Sequence, residues 1–137
     1  MRFLAFVSLL VVGCGPADPC PTHTQTFSQI RQGIFKTSCN FSSCHSASAN
    51  PQGGLDLETD PYAALLGVMP AKVGAAMRGW KRVTPGSEAT SFLYQKLVLP
   101  VNNDPQLGLR MPNTGQTLDG DSIAQIQCWI HRGAPKD

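Results

Sequence analysis

Charge is scarce in this chain. Only 15% of its 137 residues are Asp, Glu, Lys or Arg, and the formal net charge is +2. The bases are scattered, with no Lys/Arg stripe and no interleaving of basic and aromatic residues, so nothing supports nucleic-acid binding. No apolar run reaches the roughly 18 residues of a membrane-spanning helix. Nothing repeats at a fixed period, which excludes a solenoid. No stretch alternates as a strand does. What is present is a hydrophobic content of 42%, too high for disorder at this charge. The length suits one domain with its own core and is too short for two.

The N-terminus reads as an export signal. Arg2 precedes an apolar stretch from Phe3 to Val12, and Gly13 and Cys14 follow. A short basic region, an apolar core and a small residue are the parts of such a signal. The run Leu10-Val11-Val12-Gly13-Cys14 resembles the lipobox of bacterial lipoproteins. That resemblance implies cleavage before Cys14 and a lipid on its sulfur. Gly15 rather than Asp follows, so the commonest inner-membrane retention signal is absent and the outer membrane is favoured. An ordinary secretory signal is the plainer alternative. Either way the chain leaves the cytosol, and outside it thiols tend to become bonded. Of the five cysteines, lipidation of Cys14 leaves Cys20, Cys39, Cys44 and Cys128.

The organisation that follows is a signal at 1–13, a Pro-rich polar tether at 14–25 and a domain at 26–137. Thr26 and Gln29 form a capping box. Phe27, Ile30 and Ile34 are then one stripe of a helix reaching about Lys36. A polar loop, 37–54, holds Cys39, Cys44 and His45. Asp60 and Pro61 open a second helix that Gly67 closes. Val73 to Met77 is one helical turn. Ser87 caps a third helix to about Leu99, with Ala89, Phe92, Leu93 and Leu97 inward. A loop at 101–118 leads to Asp119, which caps the last helix. Ile123, Ile126 and Ile130 form its stripe. The class is all-α, with about four short helices and long loops. Such loops bury little apolar surface for the entropy lost on ordering. A flat apolar cofactor or disulfides would compensate.

The chemistry concentrates in Cys39-Asn-Phe-Ser-Ser-Cys44-His45. Two cysteines with a histidine directly after the second follow the logic of c-type haem attachment: each thiol adds to a vinyl group, and the adjacent imidazole reaches the iron. The chain here resembles the c-type cytochromes, in particular the small cytochrome c-like domains of bacterial exported proteins. The resemblance spans roughly 27–134. It rests also on Phe35 before the first motif Cys, on Arg110-Met111-Pro112 ahead of the last helix, and on the pattern 121–134 with Trp129. It implies a cytochrome c-like fold wrapped around one covalent haem c, with the first and last helices packed together. It implies thioethers at Cys39 and Cys44, and His45 and Met111 as axial ligands of the iron. Two features depart from the family pattern. Four residues separate the cysteines where two are usual, and Arg31 stands where a Gly is common.

Other readings of these residues stay open. Cys39 and Cys44 form a local disulfide in one of them. Zinc is poorly served, because Cys39, Cys44 and His45 are three ligands with no second pair at structural-site spacing. Met69 and Met77 are alternatives to Met111; Met69 shares its following Pro but lies close to the motif. Lys96, Arg82 and Arg110 are candidate partners for haem propionates, each more simply read as a solvated charge. Cys128 projects about 140° from Ile123 on a helical wheel. It therefore faces out, where a tether carrying Cys20 can bridge to it.

The expected function is electron transfer by a lipid-anchored, exported haem protein on the periplasmic side of the cell envelope. Its partners are redox proteins, and with both axial positions filled it is a carrier rather than an enzyme. The alternative from another class is a haem-free, disulfide-stapled envelope lipoprotein acting as a binding or structural module. A haem with Met111 off the iron, open to ligands, is a third.

Overall fold

A computed structural model describes residues 20–48, 50–100 and 104–137. The proposed signal and Cys14 lie outside the described residues. Thr26 caps α1 (Phe27–Ile30): its side chain accepts from the Gln29 amide while Gln29 reaches back to the Thr26 amide, a closed capping box. The helix then continues as a wider π-helical stretch, Arg31–Cys39. It ends with the Asn40 amide donating to the Phe35 carbonyl at 2.9 Å. The Thr37 hydroxyl bonds the Gly33 carbonyl at 2.7 Å, a side-chain competitor for the backbone ladder of the kind that distorts helices. The first helical run thus reaches Cys39, past the Lys36 expected from its apolar stripe.

Four short helices follow: α2 (Pro61–Leu65), α3 (Val73–Met77), α4 (Phe92–Val98) and α5 (Gly120–His131). Asp60 accepts from the Ala63 amide at 3.1 Å and Asp119 from the Ser122 amide at 2.8 Å, so both expected caps are in place. Five α-helices stand among the described residues where the sequence suggests about four. No strand appears among these residues, only isolated bridges such as Leu66 with Val83 and Lys81 with Ser91. The class is all-α.

The expected start of α4 at Ser87 is wrong. The chain from Thr84 to Ser91 is a knot of hydroxyls: the buried Ser91 hydroxyl shares its one proton between the Ser87 carbonyl at 2.7 Å and the Thr84 carbonyl at 3.1 Å, and accepts from the Thr84 amide. Hydroxyls that bind nearby backbone in this way oppose the helix. Ala89, expected inward, is exposed.

The core joins the first and last helical segments of the described residues. Phe27, Ile30, Ile34 and Phe35 pack with Leu57, Leu65, Val83, Leu97, Ile126, Trp129, Ile130 and Ala134. The Phe27 and Trp129 rings lie 5.3 Å apart, and Tyr62 meets Phe27 edge-on at 5.1 Å. First and last helices therefore pack together. Arg31 stays out of their seam, turning its guanidinium to the Glu58 carbonyl at 2.8 Å. A smaller cluster holds Ala75, Leu99 and Leu107 under Trp80 and Phe92.

Cys20 is disulfide-bonded to Cys128, with Cα atoms 5.5 Å apart. Cys128 is buried, because the chain bearing Cys20 lies across the helix face. The described part of the tether is docked there as well: His23 bonds Asp121 at 3.0 Å, and Arg132 donates to the His23 and Gln25 carbonyls.

Candidate functional site

Cys39 closes the first helical run and packs against the main core, while Cys44 sits in the following turn, its amide bonded to the Phe41 carbonyl at 2.9 Å. Both are free thiols. Burial, reinforced by the nearby Cys44, pushes the Cys39 thiol up to about 12. The two sulfurs thus share one neighbourhood, and Cys39 is protonated at neutral pH.

The segment 52–58 cradles the motif from the other side. The Gln52 amide donates to the Cys44 carbonyl at 2.8 Å, and the Leu57 amide to the His45 carbonyl at 2.9 Å. Glu58 ties down the next turn, its carboxylate accepting from the Ser46 hydroxyl at 2.6 Å and the Ala47 amide at 3.0 Å. His45 Nδ1 lies 3.2 Å from the Leu55 carbonyl. A carbonyl only accepts, so Nδ1 carries the proton and Nε2 keeps its lone pair. Burial lowers the pKa of His45; the Leu55 and Gln52 carbonyls oppose that, and the charges of Arg82 and Lys96 add to it. The net shift favours the neutral ring, the form that ligates metals.

Met111 is partly buried, its amide bonded to the Lys96 carbonyl at 2.7 Å. Arg110 Nε donates to the Leu97 carbonyl at 2.7 Å, so this loop is zipped to the end of α4. Lys96 connects the two sides of the site, since its backbone holds Met111 and its charge is felt at His45. The other candidate methionines are outside: Met69 is 45% exposed and Met77 84%. The Met69 sulfur also accepts from Lys81 at 2.9 Å.

The three cations read as solvated charges are all anchored on carbonyls. Arg82 donates to Gly53, Gly54 and Ala64, Lys96 to Leu107 and Leu109, and Arg110 to Leu97. Sequence reasoning also missed Leu55 and Glu58, the residues that hold the imidazole and its turn. Only the paired Gly53-Gly54 hinted at a tight reversal there.

Among the described residues, no group of three or more His, Cys, Asp or Glu side chains is placed to hold a metal ion. The donor set near the motif is instead two free thiols and one imidazole nitrogen. None of the described helices is long and apolar enough to cross a membrane. Comparison with known proteins finds no family model that matches, and no curated protein or solved structure similar to this chain.

Proposed function

We propose that this chain is an electron carrier that holds one haem c covalently. Cys39 and Cys44 supply the thioethers, and His45 and Met111 the axial ligands. The observation that carries the reading is the commitment of His45 Nδ1 to the Leu55 carbonyl, in a motif whose two cysteines are unpaired and whose second directly precedes the histidine. Metal-bound histidines commonly donate their second ring nitrogen to such a carbonyl, which fixes tautomer and ring orientation. The chemistry of the residues therefore fits the group. A haem so bound supplies reversible one-electron transfer, and Met ligation raises its potential.

The chain's own residues do the rest. Cys39 and Cys44 would hold the group, each thiol adding its S–H across a vinyl double bond with nothing lost. The Cys44–His45 neighbourhood is held by segment 52–58, and Met111 is held by the end of α4. With His45 and Met111 both committed to the iron, the group would have no open site for substrate and would serve as a carrier. Cys14 carries the lipid that keeps it at the envelope, on the outer rather than the inner membrane, beside redox partners.

The test is expression with haem-maturation machinery, followed by mass and visible spectrum. The mass of one covalent haem and a sharp reduced band are expected, and colourless mature protein rejects the reading. Met111→Ala should abolish the Met–iron charge-transfer band and lower the potential; an unchanged spectrum moves the ligand to Met69 or Met77.

The Cys20–Cys128 bridge favours a second reading, a haem-free stapled envelope module. That reading requires an oxidised Cys39–Cys44 peptide from secreted material and no visible absorption.

A further inference from the structure

We propose that Arg82 is the positioning residue of the candidate haem site: it clamps the Gly53–Leu55 turn whose carbonyl orients His45, and its charge, paired with no carboxylate among the described residues, favours the reduced state. The proposal rests on the haem reading above and deepens it.

The guanidinium is a three-way staple. Nη1 donates to the Ala64 carbonyl on α2 at 2.9 Å, and Nη2 donates to the Gly53 and Gly54 carbonyls, each at 3.0 Å. Gly53 and Gly54 both sit in the left-handed region, at φ 64° and 62°, a reversal that L side chains resist. Leu55 follows directly, and its carbonyl takes the His45 Nδ1 proton. The orientation of the imidazole therefore passes through one turn, and Arg82 joins that turn to α2. Arg82 is itself fixed at the backbone, its amide bonded to the Val68 carbonyl at 2.7 Å and its carbonyl to the Leu93 amide at 2.9 Å.

The charge is the second part. The ion pairs among the described residues join His23 to Asp121, Arg78 to Asp104 and His131 to Glu88. No carboxylate there is paired with Arg82, which is partly buried. A fixed positive charge beside a redox centre opposes the extra positive charge of the oxidised state. Lysine would keep the charge but lose the planar fork that spans separate carbonyls.

The full chain is tested both matured with haem and haem-free, as wild type, Arg82→Lys and Arg82→Gln. In the haem-free form both variants should exchange the Leu57 amide, which bonds the His45 carbonyl, roughly tenfold faster, the effect of losing a hydrogen bond to a charged group. In the haem form Arg82→Gln should lower the midpoint potential, while Arg82→Lys stays near wild type. Unchanged exchange in the variants, or a wild-type potential in Arg82→Gln, overturns the proposal. If Arg82→Gln does not fold, Arg82→Lys decides: faster exchange with a mixed His45 tautomer by nitrogen NMR supports it, and wild-type behaviour overturns it. A wild-type chain that takes up no haem rejects the haem reading instead, and exchange still decides whether Arg82 clamps the turn.

Discussion

Cys39 shows how one partly buried sulfur constrains both chemistry and stability. Its pKa is raised from 9.0 to about 12 by burial, with a smaller push from Cys44. The thiolate is the reactive form, so in haem-free protein at pH 8 Cys39 should react with iodoacetamide far more slowly than after unfolding in urea. Peptide mass spectrometry over time measures this, and equal rates in folded and unfolded protein would contradict the burial. The same shift has a consequence for stability. Between pH 9.0 and 12 the unfolded chain has released this proton and the folded chain retains it, so stability falls as pH rises. Cys39→Ala should flatten that alkaline loss relative to wild type in denaturant titrations at pH 8 and pH 10.5. Parallel curves for the two proteins would count against it.

At the scale of elements, what was legible in the sequence was what is decided within a few residues. The Thr26–Gln29 box, the Asp60-Pro61 start and the Asp119 cap all carry their partners three positions away. The start of α4 was misread because Ser87 looks like a cap until Ser91 and Thr84 claim the local backbone. In the site, the thiols and His45 were visible as a motif. The Arg82 staple was not, since it unites carbonyls 18, 28 and 29 residues away. Two variants test these contacts. Asp119 accepts the Ser122 amide and hydroxyl, which holds its pKa below 3.8. The folded state therefore gains from its charge above that pH and loses the gain on acidification. Asp119→Asn should lower the Tm at pH 6 and converge with wild type near pH 2, as thermal melts at the two pH values would show; a constant difference would refute the linkage. Gly74 on α3 faces the backbone of Gln106, and a Cβ there would collide with the Gln106 carbonyl. Gly74→Ala should cost about 1–3 kcal/mol, as overpacking does, and a melt within half a degree of wild type would show that α3 can move aside.

Across the described residues, several long-range contacts gather where the segment 20–28 meets the segment 128–137. The Phe27 and Trp129 rings meet at a tilt, Ser28 is bonded to Asp137, and Cys20 is bridged to Cys128 over 108 positions. The motif and the loop bearing Met111 lie between these ends in sequence. They hang largely on backbone hydrogen bonds, with Leu55, Leu66, Leu93 and Tyr94 only partly buried beside the core. A covalent group there and a bridge at the ends would act on different parts of the same deficit in buried surface. The bridge limits the entropy of the unfolded chain, an effect that typically stabilises by about 2–5 kcal/mol for a long closed loop. In haem-free protein the double variant Cys20→Ser, Cys128→Ser should lose about that much stability in urea titration. The loss should be smaller in apparent terms once a haem is attached, because the attached group keeps holding the loops after the ends are released. A double variant as stable as wild type without haem would mean that the α1–α5 seam alone closes the fold.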